Sequence, residues 1–545
     1  MAPIQDRFRR DFLRRLLEVG GALSLWGCGH TSPADSLRGG GGQYDYIVVG
    51  TGSAGSVLIR RIVDAGFSVL ALEAGPTDAL PAIHDPSLVT QLYGSTVDWS
   101  FETTQQVFSA DQRIGWSRGK TFGGSSSING MMYVRGLPAD FDHWASEGAT
   151  GWAWRDVEPY FRRMENFRLD DPSGVHGHDG PLQIGRPAMT ALAQDFVSAA
   201  AASGMPAPAD YNDGTDNTGA SLSQLTILPD GQRASAWTCY VAPLLPCPKL
   251  TVLTNARVLD LEMQGARVLG VRFTCRGETF VAYAGRETLL CAGSIMTPAV
   301  LLHSGIGARP HLETHGIRTV VDLPGVGENL HDQLTCWTVW QTARKNTPSV
   351  TTGMEATVFF KSAPSQEGPD GQVLLSTNTF PIDGYPSVTQ GFTLVPTVLA
   401  PKSRGSVRLA SADPLAYPLM NPNACADPYD VEVVARYALQ VREVMRQPEF
   451  ESWHAVEVAP GPSVTTQAEM ESFVKKTGTT AAHQVGTARM GNDALSVVDP
   501  ELRVHGVSGL RVVDASVMPV VTSGNTNAPT IMIAERAADL ILKGA

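Results

Sequence analysis

Residues 44–55, Tyr44-Asp-Tyr-Ile-Val-Val-Gly50-Thr-Gly52-Ser-Ala-Gly55, join a short β-branched run to a glycine turn. The apolar run predicts a strand that stops at Gly50, and residues 53–65 then predict a helix. Gly50 allows the tight turn, Gly52 lets a pyrophosphate approach the backbone, and Gly55 lets helix and strand pack closely. The stretch therefore predicts a strand, turn and helix that bind a dinucleotide.

The start of that predicted helix supplies the anion site. Backbone N–H groups at a helix start, here from Ser53 and Ala54 onward, are free to bind phosphate. A second predicted strand ends in Glu73, eighteen residues after Gly55, where a carboxylate can accept both ribose hydroxyls of an adenosine. No Arg or Lys follows within residues 74–76, which disfavours NADP. The motif alone leaves FAD and NAD open.

Composition limits the other functions. With 545 residues the chain needs at least two substructures, and 43% hydrophobic with 18% charged residues is ordinary for a globular protein. A net charge of −12 argues against nucleic acid or an anionic membrane surface as the main partner. We therefore expect no nucleic-acid partner.

The N-terminus predicts export. Arg9 and Arg10 precede a short, weakly apolar stretch, residues 16–27, which is too short to span a bilayer. The layout resembles a bacterial Tat signal, and the alternative is a basic leader without function. Leu25-Trp-Gly-Cys28 also resembles a lipoprotein cleavage site, although Trp26 is bulky for one. We expect a signal peptide over 1–28, a Gly/Ser-rich linker over 29–43, and a periplasmic or lipid-anchored protein.

The other six cysteines show no CxxC pair or Cys/His spacing typical of a metal site, so we expect no bound metal. Most are predicted to be small buried hydrophobic residues. A bridge between Cys239 and Cys247 stays open.

The remaining chain predicts two interleaved lobes. Strands in residues 250–258 and 268–273, a buried strand over 287–291 followed by a helix, and a late strand at 510–513 belong with the nucleotide unit. Residues 335–464 predict an antiparallel sheet, covered by a helix over 430–446, and a last helix spans 529–542. The fold class is α/β, with a discontinuous Rossmann-like domain at 44–150, 241–332 and 479–545, and an α+β substrate domain at 151–240 and 333–478.

Three segments, residues 119–142, 293–307 and 483–530, resemble the glucose-methanol-choline (GMC) family of FAD oxidoreductases, choline dehydrogenases among them. Gly119-Lys-Thr-Phe-Gly-Gly-Ser-Ser-Ser-Ile-Asn-Gly130 fits its first signature, with Phe122 at a position that is usually a smaller aliphatic. The second signature fits residues 293–307 throughout. The resemblance implies FAD rather than NAD. With the glycine motif it implies these cofactor residues: Gly50, Gly52, Ser53, Ala54, Gly55, Glu73, Gly119, Thr121, Gly123, Gly124, Ser125, Asn129, Gly130, Met131, Val258, Asp514 and Ala515.

The resemblance also implies two catalytic residues. His483, in His483-Gln-Val-Gly-Thr, matches the family's catalytic histidine, and Asn527 matches its second active-site residue. Oxidation of an alcohol removes a hydroxyl proton and a hydride. A neutral imidazole is a suitable acceptor for the proton, an Asn amide can orient the oxygen, and flavin N5 takes the hydride.

The expected function is thus FAD-dependent oxidation of an alcohol to an aldehyde or ketone, with oxygen, a quinone or a cytochrome as the electron acceptor. Expected export slightly favours a dehydrogenase over an oxidase. Ile128 stands where some relatives carry a flavin-linked histidine, so we expect non-covalent FAD. The alternative is a flavin-containing lyase or photodecarboxylase of the same fold.

Overall fold

The protein is described by a computed structural model that covers residues 43–363, 366 and 368–543. The predicted export signal, Cys28 and the linker up to residue 42 lie outside the described residues. Among the residues described, no helix is both long and apolar enough to cross a membrane.

Two large sheets form the frame. Their strands are β1 (Gln43–Val49), β2 (Val69–Leu72), β3 (Gly219–Leu222), β4 (Leu250–Leu253), β5 (Ala256–Gln264), β6 (Arg267–Cys275), β7 (Glu278–Leu290), β8 (Leu334–Thr335), β9 (Thr338–Gln341), β10 (Met354–Phe360), β11 (Gly371–Ser376), β12 (Gly391–Val398), β13 (Val456–Ala459), β14 (Thr479–Thr480) and β15 (Leu510–Val512).

The longer helices are α1 (Ser53–Asp64), α2 (Pro138–Ser146), α3 (Trp154–Met164), α4 (Ala191–Ala202), α5 (Gly293–His303), α6 (Pro428–Gln440), α7 (Gln467–Thr477) and α8 (Asn527–Lys543). Short ladders pair Phe101–Glu102 with Gly115–Trp116, Ile306–Gly307 with Val321–Asp322, Ser406–Arg408 with Leu419–Asn421, and Leu182–Gly185 with both Glu165–Phe167 and Leu225–Thr226.

The first sheet has the order β5-β6-β7-β1-β2-β4, with β15 paired to β7. β1 runs parallel to β7 and β2, and β15 runs parallel to β7. Their carboxyl ends therefore meet at one edge, and this edge is where open α/β sheets bind ligands. Segments far apart in the chain supply these strands, as expected for a discontinuous nucleotide lobe.

The second sheet is antiparallel, with the order β13-β9-β12-β11-β10-β3, and β8 joins it to β14. Helix α6 packs on this sheet with Val434, Tyr437 and Ala438 buried. The predicted α/β class with an antiparallel second sheet is confirmed. The domain boundaries given above stay a prediction.

The last described helix closes the nucleotide lobe against the first one. Glu535 of α8 is fully buried and accepts hydrogen bonds from Arg61 of α1, at 2.8 Å and 2.9 Å, and from Tyr240, at 2.9 Å. Arg163 of α3 donates to the same carboxylate at 2.8 Å. A buried carboxylate must be paired in this way, so α8 and α1 are joined by polar contacts as well as by apolar packing.

Local details differ from the sequence expectations. Residues 250–258 are two strands, because Asn255 has a φ of +52° and turns the chain between them. The helix expected over 430–446 ends at Gln440, and a short helix, Arg442–Met445, follows it. All six described cysteines are free, so the Cys239–Cys247 bridge left open above is not formed, and five of the six are buried.

Candidate active site

A cavity of about 580 Å³ begins at the carboxyl edge of the first sheet and reaches the second sheet. Gly50 follows β1, Glu73 follows β2, and Asp514 follows β15, and all three line the cavity. Leu374 of β11 and Val395 of β12 line its other end. The cavity thus has a dinucleotide side and a second-sheet side.

The dinucleotide side fits a bound pyrophosphate. Helix α1 begins after Gly52 with no side chain capping its N–H groups. A Cβ at Gly52 would meet only the Cα of Gly124, at 3.8 Å, and a Cβ at Gly293 would meet nothing within 4 Å. Bare backbone therefore faces the cavity at these two glycines, and a phosphate can approach it closely.

The other motif glycines act on the fold. A Cβ at Gly50 would lie 2.6 Å from the Cys291 carbonyl oxygen, and one at Gly55 would lie 1.9 Å from the Gly50 oxygen. Both positions allow close packing between strand, turn and helix, as the sequence predicted for Gly55.

Most of the predicted cofactor residues line this cavity. They are Gly50, Gly52, Ser53, Ala54, Glu73, Gly119, Gly124, Ser125, Asn129, Gly130, Met131, Val258, Asp514 and Ala515. Thr121, Gly55 and Gly123 do not line it. The Thr121 hydroxyl donates to the Pro76 carbonyl at 3.1 Å, and Gly123 has a φ of +82° and donates its N–H to Thr51 at 3.0 Å. These three residues shape the loops behind the site.

The two acids on the dinucleotide side are held by backbone and hydroxyl donors. Glu73 accepts from the N–H and hydroxyl of Thr51 and from the Gly75 N–H. The Ala74 N–H is a further donor to Glu73. These groups occupy most of the about four acceptor positions of a carboxylate, and acceptance of two ribose hydroxyls by Glu73 stays a prediction. Asp514 accepts from Gly293 N–H at 2.9 Å and from the Thr297 hydroxyl at 2.6 Å. Burial raises the pKa of both acids.

His483 lines the cavity, and its hydrogen bonds fix its tautomer. Both amide hydrogens of Gln333 are donated to carbonyls, of Leu399 at 2.9 Å and Thr522 at 3.0 Å. Gln333 Oε1 therefore faces His483 Nδ1, at 2.6 Å, and can only accept. Nδ1 carries the proton, so Nε2 carries the lone pair.

Asn525 is the partner of that lone pair. Its Nδ2 donates to His483 Nε2 at 3.1 Å. The sequence analysis gave the role of orienting the alcohol oxygen to Asn527, but in the structure Asn525, and not Asn527, is hydrogen-bonded to His483. Asn527 is the first residue of α8, and its Oδ1 accepts from the Ser53 hydroxyl at 2.7 Å. Asn527 thus belongs to the dinucleotide side of the cavity.

Burial and one nearby charge keep His483 neutral. Arg118 lines the cavity and donates to the carbonyl of Ala482, next to His483. Burial, together with the Arg118 guanidinium, lowers the pKa of His483 to about 3. Asp332 lies behind His483 and accepts its backbone N–H at 2.9 Å. The arrangement presents an unprotonated ring nitrogen and an amide donor to the cavity.

A family model described as GMC oxidoreductase matches residues 44–335, and a second model of the same description matches residues 401–534. The first alone covers more than half of the chain. The chain belongs to the GMC oxidoreductase family.

Relatives of known name agree along nearly the whole length. The chain is 36% identical over 536 residues to oxygen-dependent choline dehydrogenase 1 of Chromohalobacter salexigens, covering 92% of this chain and 95% of the relative. It is 35% identical over 532 residues to an alcohol dehydrogenase [acceptor] of Pseudomonas putida, covering 92% and 96%.

Solved structures show the same fold. Pyridoxine 4-oxidase from Mesorbium loti matches with a TM-score of 0.85 and 32% identity, over 91% of this chain and 99% of that one. A formate oxidase of Aspergillus oryzae, studied for FAD modification, matches with a TM-score of 0.84 and 26% identity, over 92% and 99%. The GMC resemblance and FAD as the cofactor are confirmed.

In this GMC oxidoreductase, the residues that the sequence analysis missed act around His483. Asn525 and Asn527 stand in the same Gly-Asn-Thr-Asn stretch. Because α8 starts at Asn527, Asn525 contacts His483 and Asn527 contacts Ser53. Gln333 and Arg118 lie 150 and 365 residues before His483, and no local pattern links residues so far apart.

Asn525→Ala is expected to slow flavin reduction by up to about tenfold, because it removes one hydrogen bond worth about 0.5–1.5 kcal/mol. Asn527→Ala should change reduction less, since Asn527 does not touch His483. Anaerobic stopped-flow reduction of the two variants, with FAD content measured on both, checks this. A larger effect on the reduction rate at Asn527 would contradict the placement.

The buried His331 is expected to make the fold less stable in acid. Its Nδ1 donates to the Asn329 carbonyl at 2.6 Å and its Nε2 accepts from Val521 N–H at 2.9 Å, so the folded ring has no place for a second proton. Burial lowers its pKa to about 3. The unfolded ring titrates near 6.5, so the unfolded state binds more protons below that pH and stability falls as pH falls.

The loss from His331 alone should reach about 2 kcal/mol between pH 6.5 and pH 5. Thermal unfolding midpoints at the two pH values check this. His331→Gln, less stable at pH 7, should show a smaller drop between them, and an equal drop would exclude His331 as a source.

Proposed function

We propose that this GMC oxidoreductase oxidises an alcohol to an aldehyde or ketone with FAD. The observation that carries the proposal is the neutral His483, whose Nε2 is unprotonated and lies beside the amide donor of Asn525 in the FAD cavity. A base and an oxygen-binding donor at one point suit removal of a hydroxyl proton.

The chain's own residues would act on the hydroxyl group. Nε2 of neutral His483 has a single lone pair, which the Asn525 amide contacts. The alcohol O–H would take the place of that N–H at Nε2, and the released Nδ2 hydrogen of Asn525 would bind the alcohol oxygen. As the proton moves to Nε2, Gln333 Oε1 keeps the ring oriented through Nδ1. FAD, when bound, supplies at N5 the acceptor for the hydride that leaves the carbon.

The alternative of a lyase or photodecarboxylase is not supported. The relatives reported above are dehydrogenases and oxidases by name. The two curated relatives carry dehydrogenase names, which supports the slight preference for a dehydrogenase. Oxygen, a quinone and a cytochrome stay the candidate acceptors.

Anaerobic bleaching of the flavin band, with a panel of aliphatic, aromatic, sugar and amino alcohols, tests the function. We expect at least one class to bleach the flavin, and admission of air then separates the acceptors. Prompt recovery of the band would indicate an oxidase, and slow recovery would indicate another acceptor. FAD-loaded protein that no alcohol reduces would contradict the proposal.

We infer that FAD is bound without a covalent bond. Ile128, at the position of the flavin-linked histidine of some relatives, is a buried aliphatic residue with no nucleophile. Burial also raises the pKa of the Cys291 thiol, which lines the cavity, so it stays protonated and unreactive. Acid precipitation is expected to leave a colourless pellet and a yellow supernatant. Flavin retained in the pellet would contradict this.

We propose that the protein is exported as a folded holoenzyme. The twin arginines Arg9 and Arg10 support this, and Cys28 supports a lipid anchor as an additional step. Replacing both arginines with lysine should move the protein from the periplasmic or membrane fraction to the cytoplasm. Cys28→Ser should release it from the membrane only if the anchor exists.

A further inference from the structure

The charges that line the cavity are unevenly placed. Apart from His483, its charged lining residues in the described part of the chain are Glu73, Arg118, Arg257 and Asp514. Both carboxylates lie at the carboxyl edge of the first sheet and are held by backbone N–H groups. They belong to the dinucleotide side, so neither is available to a substrate group at the second sheet.

The second-sheet side of the cavity is uncharged. The apolar and aromatic side chains of the second sheet and its loops that line it are Trp337, Met354, Leu374, Phe380 and Val395. The polar ones are all uncharged: Gln372, Thr335, Thr397, Thr479 and Thr480. Trp337 and Phe380 form an aromatic pair with ring centroids 4.9 Å apart. Neutral, mostly apolar and aromatic walls are typical of sites for uncharged organic groups.

One acid of the second sheet stands next to a lining residue but does not face the cavity. Met354 lines the cavity, whereas the adjacent Glu355 does not and contacts Thr190, the residue before α4. The Glu355 carboxylate is fully buried and accepts from the Thr190 N–H at 2.8 Å and hydroxyl at 2.6 Å. It cannot serve as a counter-ion in the cavity.

The charge next to the reacting groups is positive. Arg118 lines the cavity beside His483, and no carboxylate of the described residues lies in an ion pair with it. Two acids act on the charge of Arg118, Asp332 and Asp98, and neither lines the cavity. The oxygens of Asp332 accept from Thr480, Gln484 and the His483 N–H. Those of Asp98 accept from backbone N–H groups, including that of Arg118. A fixed cation brought here would lose its water without gaining a carboxylate.

We propose that the enzyme acts on uncharged alcohols with an apolar or aromatic body, and that quaternary ammonium alcohols are poor substrates. The proposal rests on alcohol oxidation as the function. Trp337 and Phe380 offer an aromatic surface to the substrate body. Aromatic faces also attract quaternary ammonium groups, so the exclusion of a cation rests on the charge of Arg118 and on the lack of a carboxylate among the described second-sheet residues that line the cavity. The substrate class thus differs from the one in the name of the choline dehydrogenase relative.

Choline and 3,3-dimethylbutan-1-ol test this directly, because they have nearly the same shape. In the second compound a neutral carbon replaces the positively charged quaternary nitrogen. Anaerobic reduction of the wild-type holoenzyme is measured with both, and with benzyl alcohol and hexan-1-ol. We expect the second-order rate constant for reduction to be about a hundredfold or more higher for the best neutral alcohol than for choline.

The outcomes separate the two proposals. Choline that reduces the flavin as well as or better than every neutral alcohol would overturn the substrate class and leave alcohol oxidation standing. FAD-loaded enzyme that neither choline nor any neutral alcohol reduces would overturn both. Reduction by a neutral alcohol only, whichever its length, supports both.

Gln372 allows a charge to be added to the same wall. It lies on β11, lines the cavity and donates to Thr357 Oγ1 at 3.1 Å. Gln372→Glu should raise the ratio of choline to 3,3-dimethylbutan-1-ol by at least about tenfold, because it supplies the missing counter-ion. Gln372→Leu, the uncharged control, should leave choline poor. An unchanged ratio of choline to 3,3-dimethylbutan-1-ol reduction rates in Gln372→Glu protein that holds FAD would overturn the proposal. If that variant does not fold, the comparison of the two alcohols on the wild-type enzyme decides.

Discussion

Replacing His483 with alanine is expected to slow anaerobic flavin reduction by about 10²- to 10⁴-fold, or more, while FAD stays bound. The imidazole is the group in the cavity with an unprotonated nitrogen set by its neighbours, because Gln333 holds the proton on Nδ1. No other described lining residue is placed to take a hydroxyl proton next to Asn525. Stopped-flow spectroscopy at a saturating alcohol concentration measures the effect.

Two controls sharpen that result. His143→Ala removes an exposed imidazole on α2 and should leave reduction unchanged. Flavin absorbance of purified His483→Ala protein shows whether the cofactor site survives. Reduction of the His483→Ala protein at a near wild-type rate, with FAD bound, would remove His483 from the chemistry.

Gly52→Val is expected to yield folded protein without FAD, an effect on cofactor content of at least about tenfold. Gly52 has φ −70° and ψ −162°, which any residue can adopt, and a Cβ there would meet only the Cα of Gly124, at 3.8 Å. The added side chain therefore occupies the cavity at the start of α1, where the pyrophosphate would lie, with little effect on the fold.

Gly55→Val is the contrasting variant. A Cβ at Gly55 would lie 1.9 Å from the Gly50 carbonyl oxygen. This change should therefore unfold the nucleotide lobe, whereas Gly52→Val should only prevent FAD binding. Circular dichroism and the ratio of flavin to protein absorbance separate the two effects. Gly52→Val protein that retains a full complement of FAD would contradict the role given to Gly52.

The nucleotide unit was predictable because its signals are local. The β-branched run before Gly50, the glycines after it and the acid at Glu73 stand within thirty residues, and each has its own backbone or side-chain reason. The structure reproduces the strand, the turn and helix α1 nearly to the residue. The pairing of the parallel strands was harder to predict, because β7 and β15 join this sheet from segments hundreds of residues later in the chain.

The catalytic pair was only half predictable. His483 lies in a motif that matches the family's catalytic histidine, but two Asn residues stand two positions apart before α8, and both precede a helical pattern. The structure assigns Asn525 to His483 and Asn527 to Ser53 because the helix begins at Asn527 and turns its side chain toward α1. A two-residue difference in where a helix starts is below the resolution of a sequence pattern.

The second-sheet wall of the cavity was not predictable at all. Met354, Gln372 and Val395 stand in strands buried on both faces, where near-continuous apolar runs hide which residues face the cavity. The neighbouring acid Glu355 would have passed for a substrate-binding group. Only its hydrogen bonds to Thr190 show that it does not face the cavity.

The contact between α1 and α8 has a consequence for how the protein is made. Residue 61 is synthesised long before residue 535. During translation Arg61 therefore has no ion-pair partner until most of the chain has left the ribosome. Strand β15, which pairs with β7, and Asn527, which accepts the hydrogen bond from Ser53, are also synthesised late. The lobe that holds FAD therefore closes only after translation has passed α8, and nascent or C-terminally shortened chains should be cofactor-free and prone to proteolysis.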